Sequence, residues 1–179
     1  MLLCRVSILT ISIVTSFISN VDLKGSGYIF NNEFARLIDG NTSWLKLTYF
    51  TFGPYNRTVK TANVELELFM DVTKENDVMA HLSFFIFKNN EYKKTPISFP
   101  KKVCDVLGTR YFDLPNITKN STFKACPVLK GHQYAYDIML TSNGWPKFLP
   151  EGRFLVELDY VYKDEHIAKI EWFLEIIAV

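Results

Sequence analysis

The chain has 179 residues, 48% of them hydrophobic and 15% aromatic, with 15 Phe and 9 Tyr. That length fits one domain able to bury roughly 70% of its unfolded surface, and so many aromatics favour strands over helices. Twenty basic residues against 19 acidic ones leave a formal charge of +1, which excludes a whole-molecule field for nucleic acid or anionic lipid and leaves apolar surface as the means of recognition.

The opening MLLCRVSILTISIVTSFISN has one basic residue, Arg5, then an uncharged apolar and hydroxylated run. This is the layout of a secretory signal peptide over residues 1–20, with cleavage expected between Ser16 and Val21. The run is short for a bilayer, and no later one is long enough to span it, so no stable membrane insertion is expected. Residues 21–179 then form a single secreted, extracellular domain. Removal of the leader takes Cys4 with it and leaves Cys104 and Cys126, an even pair in an oxidising compartment, expected to form a disulfide. A loop of about 22 residues closed in this way constrains the unfolded chain by roughly 3 kcal/mol.

The segments around Tyr28 to Ile38 and Trp44 to Phe52 look extended, with Asp39–Asn41 and Gly53–Asn56 as turns. Val64, Leu66, Leu68, Met70 and Val72 then fall on one face, with Glu65, Glu67 and Asp71 on the other, as in a half-buried strand. In VMAHLSFFIF, Val78, Ala80, Leu82, Phe84 and Ile86 oppose Met79, His81, Ser83, Phe85 and Phe87, so both faces are largely apolar. The intervening TKEND predicts a hairpin between these two strands. From Lys88 to Phe123 the abundance of Lys, Asn and Pro predicts mostly loop, with a short helix near Val103 to Tyr111.

Three more alternating segments follow. Tyr134, Tyr136, Ile138 and Leu140 alternate with Gln133, Ala135 and Asp137, and Phe154, Val156, Leu158, Tyr160 and Tyr162 with Arg153, Glu157 and Asp159. Ile170, Trp172, Leu174 and Ile176 oppose Lys169, Glu171 and Glu175, and KDEH before them predicts a terminal hairpin. About seven antiparallel strands imply an all-β, two-sheet, immunoglobulin-like β-sandwich, a barrel being second choice.

Four sequons, at Asn41, Asn56, Asn116 and Asn120, fit N-glycosylation and agree with export. Chemistry of bond making is not indicated. His81, His132 and His166 are isolated, Glu65 and Glu67 read as a wet strand face, and the chain has no nucleophile elbow, phosphate loop or dinucleotide fingerprint. The expectation is therefore no enzyme, no catalytic residue, no metal and no cofactor. The lysines in FIFKNNEYKK, from Phe85 to Lys94, would serve nucleic acid poorly in an exported chain; beside a cavity mouth they could meet lipid headgroups.

From Cys126-Pro127 onward, a short basic turn ends at Gly131, Tyr134 and Tyr136 alternate, Pro146 and Pro150 punctuate a link, and paired strands begin at Gly152 and Ala168. Over roughly residues 100 to 177 this pattern resembles the ML lipid-recognition family. The Leu149–Gly152 and Val103–Asp105 stretches are more similar to a divergent arthropod branch of secreted ML-like proteins, some linked with chemosensation. The additional cysteine pairs of better-known members are absent, so their bridge arrangement does not carry over.

The resemblance implies sheets splayed around a lipid, sterol or other hydrophobic small molecule. The expected wall sets Val64, Leu66, Leu68 and Met70 with Leu82, Phe84 and Ile86, and Tyr134, Tyr136, Phe154, Val156, Leu158, Trp172 and Leu174 opposite. Burial there stabilises an acyl chain by about 0.8 kcal/mol per methylene. The alternative is a secreted interaction module with a filled core that docks on a receptor or another extracellular protein.

Overall fold

A computed structural model describes residues 27–76, 78–146 and 149–178. The expected signal peptide over residues 1–20, Cys4 included, lies outside the described residues. Among the described residues, period-two patterning produces eight strands: β1 Tyr28–Gly40, β2 Leu45–Pro54, β3 Lys60–Leu68, β4 Met79–Lys88, β5 Glu91–Lys102, β6 Gly131–Ile138, β7 Gly152–Tyr162 and β8 Glu165–Ala178. Two single-turn helices, α1 Val103–Val106 and α2 Leu114–Ile117, lie between β5 and β6. All pairings are antiparallel, in a five-stranded sheet of order β1-β8-β7-β4-β5 and a three-stranded sheet of order β2-β3-β6. The fold is thus an all-β two-sheet sandwich.

Two sequence expectations need correction. The hairpin expected between the strands at Val64 and Phe84 does not form: β3 pairs with β2 and β6, whereas β4 pairs with β5 and β7. The polar residues between them build a corner. Asn76 Nδ2 donates to the Asp71 carbonyl at 2.5 Å, and Asn76 Oδ1 accepts from the Thr73 amide at 2.6 Å. Val72 and Val78, on either side of the corner, are buried in the core between the sheets.

The second correction is β5, which occupies a stretch expected to be mostly loop. Asn89 and Asn90 both adopt positive φ, 54° and 63°, the backbone of a tight hairpin turn that asparagine tolerates well. The strand lies at the sheet edge. Its Pro96, Pro100 and lysines, which read as loop in the sequence, are what an unpaired edge accommodates. The expected terminal hairpin is present as β7–β8, its turn at Lys163 and Asp164 using φ of 46° and 65°.

Buried side chains form two clusters. One gathers Phe84, Phe154, Val156, Trp172, Leu174 and Ile176 with Tyr28, Ala35 and Ala62. The other gathers Trp44, Leu45, Val72, Val78, Val128, Ile167 and Ala168 around Cys104. Cys104 is bridged to Cys126, with Cα atoms 5.3 Å apart, and so ties α1, which follows the large sheet, to the segment that leads into the small one.

Candidate functional site: an apolar cavity

Strand register sets the inner face of the large sheet row by row. Ile86, Phe154 and Leu174 are cross-strand partners on β4, β7 and β8, as are Phe84, Val156 and Trp172. Phe30 on β1 partners Ile176 on β8, and Phe99 on β5 partners Leu82 on β4. Over one end of this face lies the link between β6 and β7, which contributes Trp145, Pro146, Leu149 and Pro150. Between sheet and link is a cavity of about 240 Å³.

Its frame is aromatic. The Trp145 ring lies 4.7 Å from Phe112, 5.3 Å from Phe30 and 5.9 Å from Phe84, in each case edge to face, and Phe84 meets Phe99 at 6.0 Å. These are distances at which aromatic pairs attract one another beyond their burial. The wall is held on three sides by hydrogen bonds. Tyr28 donates its hydroxyl to the Pro146 carbonyl at 2.5 Å, and Asn32 donates to the Leu140 carbonyl at 3.0 Å while accepting from Trp172 Nε1 at 2.8 Å. Asp113, buried, accepts from Asn116 Nδ2 and from the Thr141 hydroxyl. Gly144, next to Trp145, has φ +73°, and a Cβ there would come within 2.6 Å of the Arg110 carbonyl oxygen. Only glycine lets the link approach so closely.

No ionisable side chain lines the cavity among the described residues. The Thr95 hydroxyl, in the wall, donates to the Phe84 carbonyl at 2.9 Å and is thereby committed. Desolvation by burial raises the pKa of the Tyr28 phenol above its ordinary value, which keeps it a neutral donor. A larger depression of about 340 Å³ beside Tyr49, Tyr55, Asn63 and Asp137 is open and polar. It does not exclude water, whereas apolar ligands are held by enclosed, mostly apolar concavities.

The structure brings together only part of the expected wall. Phe84, Ile86, Phe154, Val156 and Leu174 line the cavity, and Leu82, Leu158 and Trp172 pack in the same core. The residues expected from the other sheet lie elsewhere. Leu66 and Leu68 pack against the second cluster, Val64 is half-buried opposite Ala135, and Met70, beyond the end of β3, is 41% exposed. Tyr134 and Tyr136 stack on each other at 5.0 Å with Glu65 as cross-strand partner of Tyr134. Tyr136 donates to Glu65 Oε1 at 2.5 Å, and that hydrogen bond to the carboxylate raises the phenol pKa. These tyrosines are on the outer face because Gln133 and Ala135 take the buried positions of β6.

Sequence reading missed Phe30, Thr95, Ile97, Phe99, Ile176 and the four link residues as wall. Thr95, Ile97 and Phe99 do alternate, so a period-two signal was present on β5. The link carries no periodicity at all.

The remaining sequence-level candidates are surface features. His132 and Glu67 are cross-strand partners on the same outer face as Glu65 and Tyr134. Among the described residues no group of three or more His, Cys, Asp or Glu is placed to hold a metal, and no helix is long and apolar enough to cross a membrane. Asn56, Asn116 and Asn120 are exposed and Asn41 half-exposed.

Residues 80–156 match a family described as "Protein of unknown function (DUF1091)". No curated protein matches the sequence. Among solved structures, the chain is similar to the crystal structure of chicken MD-1 complexed with lipid IVa, at 13% identity over 84% of this chain and 97% of that one, with a TM-score of 0.34.

Proposed function

We propose that the protein is a secreted, glycosylated, non-enzymatic carrier that holds a small hydrophobic molecule in the cavity between the large sheet and the β6–β7 link, and presents it outside the cell in a chemosensory or lipid-transport setting. The observation that carries this reading is the 240 Å³ of space lined almost wholly by hydrocarbon and aromatic surface, with no charged group in its wall among the described residues. The apolar amino-terminal run, the sequons and the resemblance to secreted lipid-recognition proteins support export and cargo of this kind. Dry cavities of about 150 Å³ accept benzene, so this one holds roughly eight to ten heavy atoms. Burying eight methylenes stabilises the complex by about 6 kcal/mol before ordering costs are subtracted. The dissociation constant is then on the order of tens of micromolar at the tightest, and weaker once ordering costs are included.

Native mass spectrometry of protein purified from a secreting host, followed by organic extraction, tests the reading. The expected result is a population carrying an apolar compound, or uptake of added octane. Val156→Phe, which fills the space from the sheet side, abolishes uptake at a stability cost of about 1–3 kcal/mol. Phe84→Arg also abolishes it by placing an unpaired charge in the wall. A clean unliganded mass with no uptake of octane overturns the carrier and favours an interaction module.

A further inference from the structure

Among the described residues, the cavity wall holds one side-chain hydrogen-bond donor without a partner. Trp145 lines the cavity, and its indole Nε1 is buried with no hydrogen-bond partner among the described residues. Buried donors are nearly always matched, because an unmatched one retains the full penalty of leaving water. The neighbouring hydroxyls do not relieve it: Thr95 Oγ1 donates to the Phe84 carbonyl and accepts from the Ile97 amide, and Tyr28, which donates to the Pro146 carbonyl, makes no hydrogen bond with the indole. Among the described residues no cation lines the space, and a carboxylate facing them would be desolvated and unpaired.

Resting on the carrier reading, we propose that the ligand is uncharged and bears an oxygen acceptor on an otherwise hydrocarbon body, as a ketone, aldehyde or ester does, and that Trp145 Nε1–H donates to that oxygen. The nitrogen is covered in the empty cavity, so the indole must turn slightly as the ligand enters. Phe30, Phe84 and Phe112 meet Trp145 edge to face, and they can keep such contacts through a small tilt. The hydrogen bond fixes the orientation of a molecule that hydrocarbon contacts alone would leave free to slide.

Isothermal titration calorimetry with octane, 2-octanone, 4-octanone and octanoate tests this on the full secreted chain. The two ketones have the same formula and nearly the same hydrophobicity, so a donor at a fixed place separates them about threefold or more, whereas a featureless cavity binds them alike. Trp145→Phe keeps an aromatic ring and removes the N–H. It is expected to weaken the better ketone about five- to tenfold relative to octane, and the remaining octane binding also shows that the variant is folded. Equal binding of the two ketones overturns the proposal, as does an unchanged ratio of ketone to octane affinity in Trp145→Phe. Octanoate binding tighter than either ketone at neutral pH overturns it too. All three results leave the carrier reading standing, whereas failure of every compound to bind the wild-type chain overturns both.

Discussion

Single side chains decide what the strand ends do. His166, at the start of β8, places Nε2 2.7 Å from Asp39 Oδ1 and Nδ1 2.8 Å from Asp159 Oδ1, so β1, β8 and β7 meet at one imidazole ring. The hydrogen bond to Asp39 is the largest influence and raises the histidine pKa, burial opposes it, and the charges of Asp39 and Asp159 add to the rise. A raised folded-state pKa means that the folded form binds the proton more tightly. The contribution is therefore fully present below the ordinary histidine value of about 6.5 and is lost as pH rises through the higher folded-state value. Urea denaturation across that window is expected to show stability falling with rising pH, and His166→Ala is expected to flatten the curve. The effect is modest because the side chain is 39% exposed. None of this is legible in KDEHIAKIEW, where His166 has no carboxylate at a spacing that marks it; its partners lie 127 residues away and on a neighbouring strand.

At the scale of one strand, β6 shows how alternation misleads. Its register with β3 runs from Leu68–Gly131 to Val64–Ala135 and then skips, so that Ala62 meets Ile138. The extra residue is accommodated where Asp137 adopts φ 57° and its amide donates to Asn63 Oδ1 at 2.9 Å. A bulge reverses which face each following residue takes. Before it Gln133 and Ala135 are buried; after it Ile138 packs inward, as does Leu140 beyond the strand end. The sequence reading put Tyr134, Tyr136, Ile138 and Leu140 on one face, which an unbroken strand would require. Asp137→Val forces a β-branched residue into positive φ and is expected to destabilise by about 1–3 kcal/mol. Asp137→Gly is expected to change stability by less than about 1 kcal/mol, since glycine adopts that backbone freely. Chemical denaturation of the two variants side by side measures the difference.

Across the whole molecule, the disulfide ties the segment after the large sheet to the one leading into the small sheet, and the β6–β7 link covers the cavity over the large sheet. Replacing Cys104 and Cys126 together by Ser is expected to lower stability by about 3 kcal/mol, from the loop entropy of the 22-residue separation. Denaturation with and without reductant checks it: reductant should bring the wild type down to the variant and leave the variant where it is. The sequence by itself determined the class of fold, because side chains that alternate with period two can bury one face only by pairing into sheets, and that holds for β3, β4, β7 and β8 whatever their partners. It also singled out the cysteine pair, since Cys104 and Cys126 are the two cysteines outside the expected signal peptide and leave one pairing. Only the tertiary structure decided that β3 and β4 belong to different sheets, that a proline- and lysine-rich stretch is an edge strand, and that the cavity is closed by Trp145, Pro146, Leu149 and Pro150 rather than by Val64, Leu66, Leu68 and Met70. The physical reason is common to all three. Periodicity reports which way a side chain faces relative to its own strand, whereas sheet membership, edge position and the seat of a connecting segment depend on long-range hydrogen bonds and on a glycine such as Gly144, whose missing Cβ matters only once Arg110 is beside it.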